Sequence, residues 1–408
     1  MCEVSVRLII LGIEEHPNPI RLAVTPIYLD YHATTPVDPG VLDAMLPYFG
    51  SKFGNAASLT HYFGWEAQAA VEAARRRIAD LAGASPREIV FTSGATESDN
   101  LALKGVVAAC GAPHPHLVTV ATEHKAVLDA ALTLEAAGCR VTVLRPRRDG
   151  LVDLDELRDA IVSDTLLVSV MYANNEIGVL QPVAEIGGIC REKEVLFHCD
   201  AVQAFGKLPV NVDACKIDLM SVSAHKMYGP KGVGALYVRR QNARVRVKAQ
   251  MDGGGHEAGM RSGTLNVPGI VGFGEACAIA ARVIDEEYDR IRALRDRLKR
   301  HLEDGLEGLH IHGSMEHRLA GNLNVSFEGV DGDALLVGIP EIAVSAGSAC
   351  SSHEGGGSHV LRAIGVRGDL MQSATRLGLG RFTTQQDVDY AAERIIQVVR
   401  RLREHVPV

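Results

Sequence analysis

Two residues that could do chemistry together, Asp200 and Lys226, each follow a short apolar run typical of a buried strand. The runs are VLFHC (195–199) and DLMSVSA (218–224). Because the parallel strands of an open α/β sheet end at one edge, this spacing predicts that the carboxylate and the amine meet there. From these two residues alone, a structural salt bridge and a lysine nucleophile working beside an acid are both open.

A third segment, FTSGATESDN (91–100), combines a strand, a turn with a glycine and the start of a helix, with Thr96 and Ser98 near the turn. The free N–H groups and the positive end of a helix can bind phosphate, so the segment is a candidate phosphate site. An ordinary capped helix start is the alternative, because Ser or Thr near acidic residues is typical of N-caps.

Taken together, these groups are the set that pyridoxal phosphate requires. This cofactor needs a lysine for a Schiff base, a carboxylate on its pyridinium nitrogen and a cup for its phosphate. Ser223 and His225 stand beside Lys226, and Gln203 stands beside Asp200, so more polar groups converge on the same edge. The pattern predicts an enzyme that carries out carbanion chemistry on an amino acid.

The elements that must position these residues alternate between helical and strand periods from Val41 to Val238. This alternation predicts a layered α/β domain with a mainly parallel sheet. Apolar residues at three- and four-residue spacing predict helices at 64–81, 123–137 and 183–192. Continuous apolar runs, typical of strands covered on both faces, predict strands at 88–92, 116–121, 166–173, 195–199 and 218–224.

The C-terminal part has a different pattern. A long helical segment with one charged, solvent-facing side runs from after Gly269 to about Leu302. Beyond it, a smaller α+β domain is predicted from strand runs at 322–327, 343–347 and 376–380 and helices at 334–338 and 385–404. We therefore divide the chain into an extension of uncertain role (1–26), a large cofactor-binding domain (27–280) and a small domain (281–408). Residues 27–40 are expected to pack with the small domain.

Several stretches together carry a resemblance to a known family. They are YLDYHATTPVDP (28–39), FTSGATES (91–98), TEHKAV (122–127), NNEIG (174–178), HCDAVQ (198–203), SAHKMYGPKG (223–232), GGGHEAGMRSGT (253–264), SAGSACSS (345–352) and RLGLGRFTT (376–384). From about Ile27 onward the sequence resembles the group I cysteine desulfurases, within the class V family of fold type I pyridoxal-phosphate enzymes. The resemblance implies a large domain with a mainly parallel seven-stranded sheet and a smaller α+β domain at the C-terminus.

The resemblance also implies a role for residues around pyridoxal phosphate. Lys226 would bind the cofactor covalently and later move protons at the substrate α-carbon. Asp200 would pair with the pyridine nitrogen and Gln203 with the phenolic oxygen, which together set the electronics of the ring. His124 would stack on the ring and act as an acid–base group.

The remaining implied contacts concern the substrate and the phosphate. Asn175 would lie near the phenolic oxygen and the substrate, and Arg376 would bind the substrate carboxylate through two N–H groups. The phosphate would be bound by Ala95 and Thr96 through the backbone, by the side chains of Thr96, Ser223 and His225, and by Thr264 of the neighbouring subunit. A homodimer is therefore expected.

Cys350 differs from the other seven cysteines of the chain. No Cys-x-x-Cys pair is present, so neither a zinc site nor a disulfide framework is predicted, and most of the cysteines lie in apolar runs as small buried side chains. Cys350 instead stands between small polar residues and is followed by the glycines at 355–357, a segment poor at packing. The resemblance implies that its thiolate attacks the sulfur of L-cysteine, giving L-alanine and a persulfide on Cys350.

This persulfide would serve iron–sulfur cluster assembly or other sulfur transfer, so a sulfur acceptor or iron–sulfur scaffold protein is an expected partner. Cys350 is also a candidate transient iron–sulfur ligand, and no other metal site is expected. Two alternatives stay open: a cystine, cysteine or selenocysteine lyase of the same fold, and an inactive sulfur carrier or scaffold. A lyase needs no thiol at Cys350, and an inactive protein has no reason to keep Lys226, Asp200 and Arg376.

Composition limits the partners further. With 42 Lys and Arg against 50 Asp and Glu, the net charge is −8, so the chain as a whole repels nucleic acid and none is expected. The apolar run at Leu8–Ile13 is far shorter than the ~18 residues that cross a bilayer, so no membrane association is expected. The sequence is interpreted as that of a cytoplasmic protein.

Overall fold

The computed structural model describes residues 26–242, 244–346 and 357–404, and over these ranges the chain forms three sheets with flanking helices. The strands are β1 (Ile27–Tyr28), β2 (Ile89–Thr92), β3 (His116–Val120), β4 (Arg140–Leu144), β5 (Thr165–Ser169), β6 (Leu196–Asp200), β7 (Leu219–Ser223), β8 (Gly234–Val238), β9 (Leu309–Ile311), β10 (Asn322–Phe327), β11 (Ile342–Ala343), β12 (Ser345–Ala346) and β13 (Thr375–Gly378). The helices are α1 (Pro39–Met45), α2 (Tyr62–Ala82), α3 (Ala95–Cys110), α4 (Lys125–Ala136), α5 (Leu154–Ala160), α6 (Val183–Glu192), α7 (Val267–Gly305), α8 (Gly332–Gly338), α9 (His359–Ala363), α10 (Gly368–Gln372) and α11 (Gln385–Glu404).

The largest sheet has seven strands in the order β2–β8–β7–β6–β5–β3–β4. All neighbours pair in parallel except β8, which is antiparallel to both β2 and β7. This arrangement confirms the predicted mainly parallel seven-stranded sheet. Asp200 at the end of β6 pairs with Ser221 of β7, so both strands deliver their C-terminal residues to one edge of the sheet.

Two apolar clusters cover the two faces of this sheet. Leu167 and Leu196 point to the side of α3 and α4, whereas their neighbours Val168 and Phe197 point to the side of α2, α6 and α7. Because successive side chains of a strand point to opposite faces, a strand buried on both faces is apolar at most of its positions. Each such side chain stabilises the fold by roughly 1.5–3 kcal/mol, which explains the unbroken apolar runs.

The smaller sheet has the order β12–β13–β10–β9, and its pairs are antiparallel. Helix α11 and the second half of α7 pack against this sheet. In α7, the residues Ile291, Leu294, Leu298 and Leu302 share one buried face. Strand β1 pairs in parallel with β11, and Leu29 joins the same apolar cluster. The predicted α+β character of the C-terminal part is confirmed, while the division at residue 280 remains a proposal that would cut the continuous helix α7.

By length and composition alone, α7 is the helix within the described ranges that could cross a membrane. More than half of its most apolar stretch is buried inside the molecule, against α1 and α2. A Cβ at Gly274 would lie 2.6 Å from the Cα of Ala74, so the two helices touch backbone to backbone. This close packing accounts for the apolar composition of α7.

Candidate active site

A cavity of about 710 Å³ opens at the edge of the seven-stranded sheet where β6 and β7 end. All of the predicted site residues line it except Thr264 and Cys350. The predicted residues that line it are Ala95, Thr96, His124, Asn175, Asp200, Gln203, Ser223, His225, Lys226 and Arg376. Cys350 lies outside the described residues. Thr264 is exposed on the surface, in the segment before α7.

Lys226 stands in a single 3-10 turn directly after β7. Its amine donates hydrogen bonds to the carbonyl oxygens of His32, at 2.7 Å, and Ala33, at 2.5 Å. The segment after β1 also makes hydrogen bonds to the backbone of this turn. The Thr35 N–H and hydroxyl both donate to the His225 carbonyl. The amine is therefore held at the cavity wall by backbone oxygens.

Asp200 is one of three buried carboxyl groups near the end of β6. Its Oδ1 accepts a hydrogen bond from the Val202 N–H at 3.0 Å, and it lines the cavity. Burial raises the pKa of Asp200, while the Val202 N–H and Lys226 act in the opposite direction. Burial raises the pKa of Asp99 and of Glu123 well above the usual range, and the charge of Asp200 adds to this. Of these three carboxyls, Asp200 is the one that the Lys226 amine favours in its ionised form.

In the described part of the chain, three histidines line the cavity, His32, His124 and His225, and the ring of each has a hydrogen-bond contact. His124 caps α4, and its Nδ1 accepts a hydrogen bond from the Ala126 N–H at 3.1 Å, so the neutral ring carries its proton on Nε2. The Nδ1 of His225 lies 3.1 Å from the Thr34 hydroxyl. Burial lowers the pKa of His225 to about 4, assisted by Lys226. His225 is therefore an uncharged hydrogen-bonding group at neutral pH.

The N-terminus of α3 forms one wall of the cavity. Its N-cap is Gly94, with φ +154, a conformation that favours glycine, and no side chain caps the helix. Strand β8 packs closely against this N-cap, because a Cβ at Gly234 would lie 2.8 Å from the Cα of Gly94. The uncapped N–H groups of Ala95 and Thr96 thus face a cavity that also contains Ser223, which suits a phosphate group.

Arg376 enters the cavity from β13 of the smaller sheet. One terminal nitrogen donates to Asp30 at 2.7 Å and to the Ser345 hydroxyl at 3.0 Å, and the other donates to the Asn175 carbonyl at 3.1 Å. Its buried Nε has no hydrogen-bond partner among the described residues. These contacts fix the guanidinium and leave some of its N–H groups unused. It therefore suits a carboxylate ligand.

Several charged or titratable residues near the site received no role from the sequence, among them Asp30, His32 and Lys207. Asp30 and His32 stand in the matching stretch 28–39 and follow β1, which belongs to another sheet. The argument from the strand ends of the large sheet therefore does not apply to them. Lys207 lies four residues after Gln203 and donates a hydrogen bond to its amide oxygen. The signal that could have found Lys207 is this four-residue spacing along a turn that follows a strand.

Metal binding has no structural support in the ranges described. No group of three or more His, Cys, Asp or Glu side chains there is placed to hold a metal ion.

Comparisons with known proteins agree with one another. The family description "Aminotransferase class-V" matches residues 27–391. Cysteine desulfurase IscS of Anaeromyxobacter dehalogenans (strain 2CP-C) is 60% identical over 382 residues, which cover 94% of this chain and 94% of that protein. A solved NifS-like protein superimposes with a TM-score of 0.86 at 39% identity, over 92% of this chain and 100% of the other. A structure described as SspA in complex with cysteine has a TM-score of 0.75 at 36% identity, over 88% and 100% of the two chains.

Proposed function

Since the chain belongs to the aminotransferase class-V family, as a cysteine desulfurase that depends on pyridoxal phosphate, we propose that the cavity beside β6 and β7 is its active site. The observation that carries this assignment is that one cavity contains Lys226, Asp200, Arg376 and the uncapped N-terminus of α3. The reaction removes sulfur from L-cysteine and yields L-alanine and a persulfide on the enzyme.

The groups that line the cavity fit the cofactor. The α3 N–H groups with Ser223 and neutral His225 would hold the phosphate, and ionised Asp200 would hold the protonated pyridine nitrogen. Gln203 would contact the phenolic oxygen, and Lys226 would supply the amine that bonds to the aldehyde carbon. When bound there, pyridoxal phosphate withdraws electrons from the α-carbon of the amino acid.

The residues of the chain then orient L-cysteine and move protons. Arg376 would bind the substrate carboxylate with the N–H capacity that Asp30, Ser345 and Asn175 leave unused. Lys226, freed by the arriving amino group, would take a proton from the substrate α-carbon and return one later. His124, held by the hydrogen bond from the Ala126 N–H to its Nδ1, would stack on the cofactor ring.

Cys350 would complete the sulfur step. Its thiolate attacks the substrate sulfur, so a sulfur–sulfur bond forms as the carbon–sulfur bond breaks. The bonding electrons stay with the carbon fragment, which gains a proton and leaves as L-alanine. The persulfide left on Cys350 is passed to a sulfur acceptor or iron–sulfur scaffold protein.

The test of this function is the identity of the product. Purified protein supplied with L-cysteine and a thiol reductant is expected to form L-alanine and sulfide in equal amounts, because each persulfide releases one sulfide. Chromatography of the amino acids and a sulfide assay measure both. Pyruvate and ammonia in place of alanine would instead identify a lyase of the same fold.

We further propose that the enzyme acts in the cytoplasm as a homodimer. The six cysteines in the described ranges are unpaired, as expected in a reducing compartment. Large apolar side chains are exposed in one short stretch of the chain, a pattern typical of a protein interface. They are Leu42, Leu46, Phe49, Phe53, Leu59, Tyr62, Phe63 and Trp65. In the dimer, exposed Thr264 of one subunit would contact the phosphate in the other.

This dimer predicts complementation between two defective chains. Lys226→Ala and Thr264→Ala, co-expressed with different tags, should form heterodimers in which one of the two sites has both residues. With random pairing, the mixture is expected to recover about a quarter of the wild-type activity per subunit, well above either variant alone. A mixture no more active than its components, although heterodimers are isolated by the two tags, would contradict the shared site.

A further inference from the structure

Lys207 has a defined position behind the active site. Its amine donates a hydrogen bond to the Oε1 of Gln203 at 3.0 Å. The turn that carries it is fixed by close packing, because a Cβ at Gly206 (φ +75) would lie 2.5 Å from the Cε of Met227, next to Lys226. The position of Lys207 is therefore set by the same local packing as that of Lys226.

Two further hydrogen bonds connect Lys207 to Lys226. The Nε2 of Gln203 donates to the His32 carbonyl at 2.9 Å, and this carbonyl also accepts from the Lys226 amine at 2.7 Å. The two lysines are thus linked through one amide and one backbone oxygen. Gln203, in the middle of this chain, lines the cavity.

The direction of each hydrogen bond fixes which way the amide of Gln203 points. An ammonium group only donates, so the amide oxygen must face Lys207 and the amide nitrogen must face the opposite way. The nitrogen has two hydrogens, and the His32 carbonyl takes one of them. The second hydrogen remains for a ligand in the cavity.

The charged and titratable groups around the Lys207 amine come from several elements. They are Lys226 after β7, Arg376 on β13, His32 after β1, and Tyr228, Glu287 and Tyr288 around a cavity of about 40 Å³ on its other side. Glu287 pairs with Arg381 at 2.5 Å. Burial lowers the pKa of Lys207 to about 7, assisted by Lys226 and Arg376. Both the charged and the neutral amine carry N–H groups, so Lys207 can donate to Gln203 across the neutral range.

We propose that Lys207 is a positioning residue that holds the Gln203 amide with its nitrogen toward the phenolic oxygen of bound pyridoxal phosphate. Without Lys207 the amide oxygen keeps, among the described side chains, only the Nδ1 of His32, at 3.2 Å, as a partner. The turned-over amide, whose oxygen would face and repel the phenolic oxygen, then becomes easier to populate. The proposal rests on the proposed contact between Gln203 and the cofactor, and it adds the residue that makes this contact directional.

The test uses the absorbance of the cofactor in the holoenzyme. An N–H donor stabilises the anionic phenolic oxygen and so lowers the pH at which the visible band changes. In Lys207→Met this midpoint is expected to rise by about one unit. Lys207→Arg should stay near the wild type, since the 40 Å³ cavity leaves room for the larger group. Lys193→Met, at the exposed end of α6, is the control and should not shift.

A double variant distinguishes action through Gln203 from a direct effect of charge. Gln203→Leu should raise the midpoint as Lys207→Met does, and the double variant should shift no further than Gln203→Leu alone. Additive shifts, or an unchanged midpoint in Lys207→Met beside a shifted Gln203→Leu, would overturn the role of Lys207 and leave the desulfurase function intact. An unchanged midpoint in Gln203→Leu would overturn the contact of Gln203 as well. Lys207→Gln, one atom shorter, carries the same expectation if Lys207→Met does not fold.

Discussion

A Lys226→Ala variant is expected to purify as a colourless protein whose alanine production falls by about a thousandfold or more. The amine held by the His32 and Ala33 carbonyls is the group that would bind the cofactor and move protons at the substrate α-carbon. Removing it abolishes both tasks, while Asp200 and Arg376 remain. The measurements are the visible absorbance spectrum and the rate of L-alanine formation from L-cysteine.

Chemical trapping locates the cofactor independently of activity. Borohydride reduction of the wild type should fix a pyridoxyl group on the peptide that contains Lys226, as mass spectrometry would reveal. Lys104→Ala, on α3, serves as the matched control and should keep its colour. An adduct found on Lys104, Lys125 or Lys231 would show that the lysine has been assigned wrongly.

A Cys350→Ala variant is expected to keep its cofactor and still bind L-cysteine, yet form neither alanine nor persulfide above background. Lys226, Asp200 and Arg376 are untouched, so the steps that precede sulfur transfer should survive as a spectral change on adding L-cysteine. Only the attack on the substrate sulfur should fail. The measurement is the identity of the product, alanine against pyruvate, in the wild type and in the variant.

A second cysteine provides the control for this experiment. Cys110, at the end of α3, is an unpaired and half-buried thiol, so Cys110→Ala should retain wild-type alanine formation. Pyruvate as the main product in the wild type, unaffected by Cys350→Ala, would mean that the sulfur leaves by elimination and that the persulfide assignment is wrong.

The central sheet could be predicted from the sequence because its strands are covered on both faces. Strands β6 and β7 lie within one residue of the predicted runs, since most of their buried side chains are apolar. Two strands of this sheet were not predicted: the fully buried β8, and β4. Strand β4 lies at the edge of the sheet with half-exposed side chains, and RVTVL has no period that separates it from a loop.

The candidate site likewise contains residues whose position could be predicted from the sequence and residues whose position could not. Asp200 and Lys226 follow recognisable strands, so their meeting at one sheet edge follows from topology. Asp30 reaches Arg376 only because the segment after β1 bridges to β13, where Asp30 pairs with Gly378. The contact joins residues 346 positions apart, and no local pattern encodes it. Lys207 would ordinarily be expected on the surface, because a lysine amine is seldom buried without a carboxylate.

The continuity of α7 has a mechanical consequence. This helix of 39 residues, about 58 Å long, packs with its first half on the large sheet and with its second half on the small one. Any rotation of one sheet against the other must therefore bend α7. Lys226, directly after β7, and Arg376, on β13, are therefore held at a nearly constant distance, which suits the fixed separation of the α-carbon and the carboxylate in the proposed substrate.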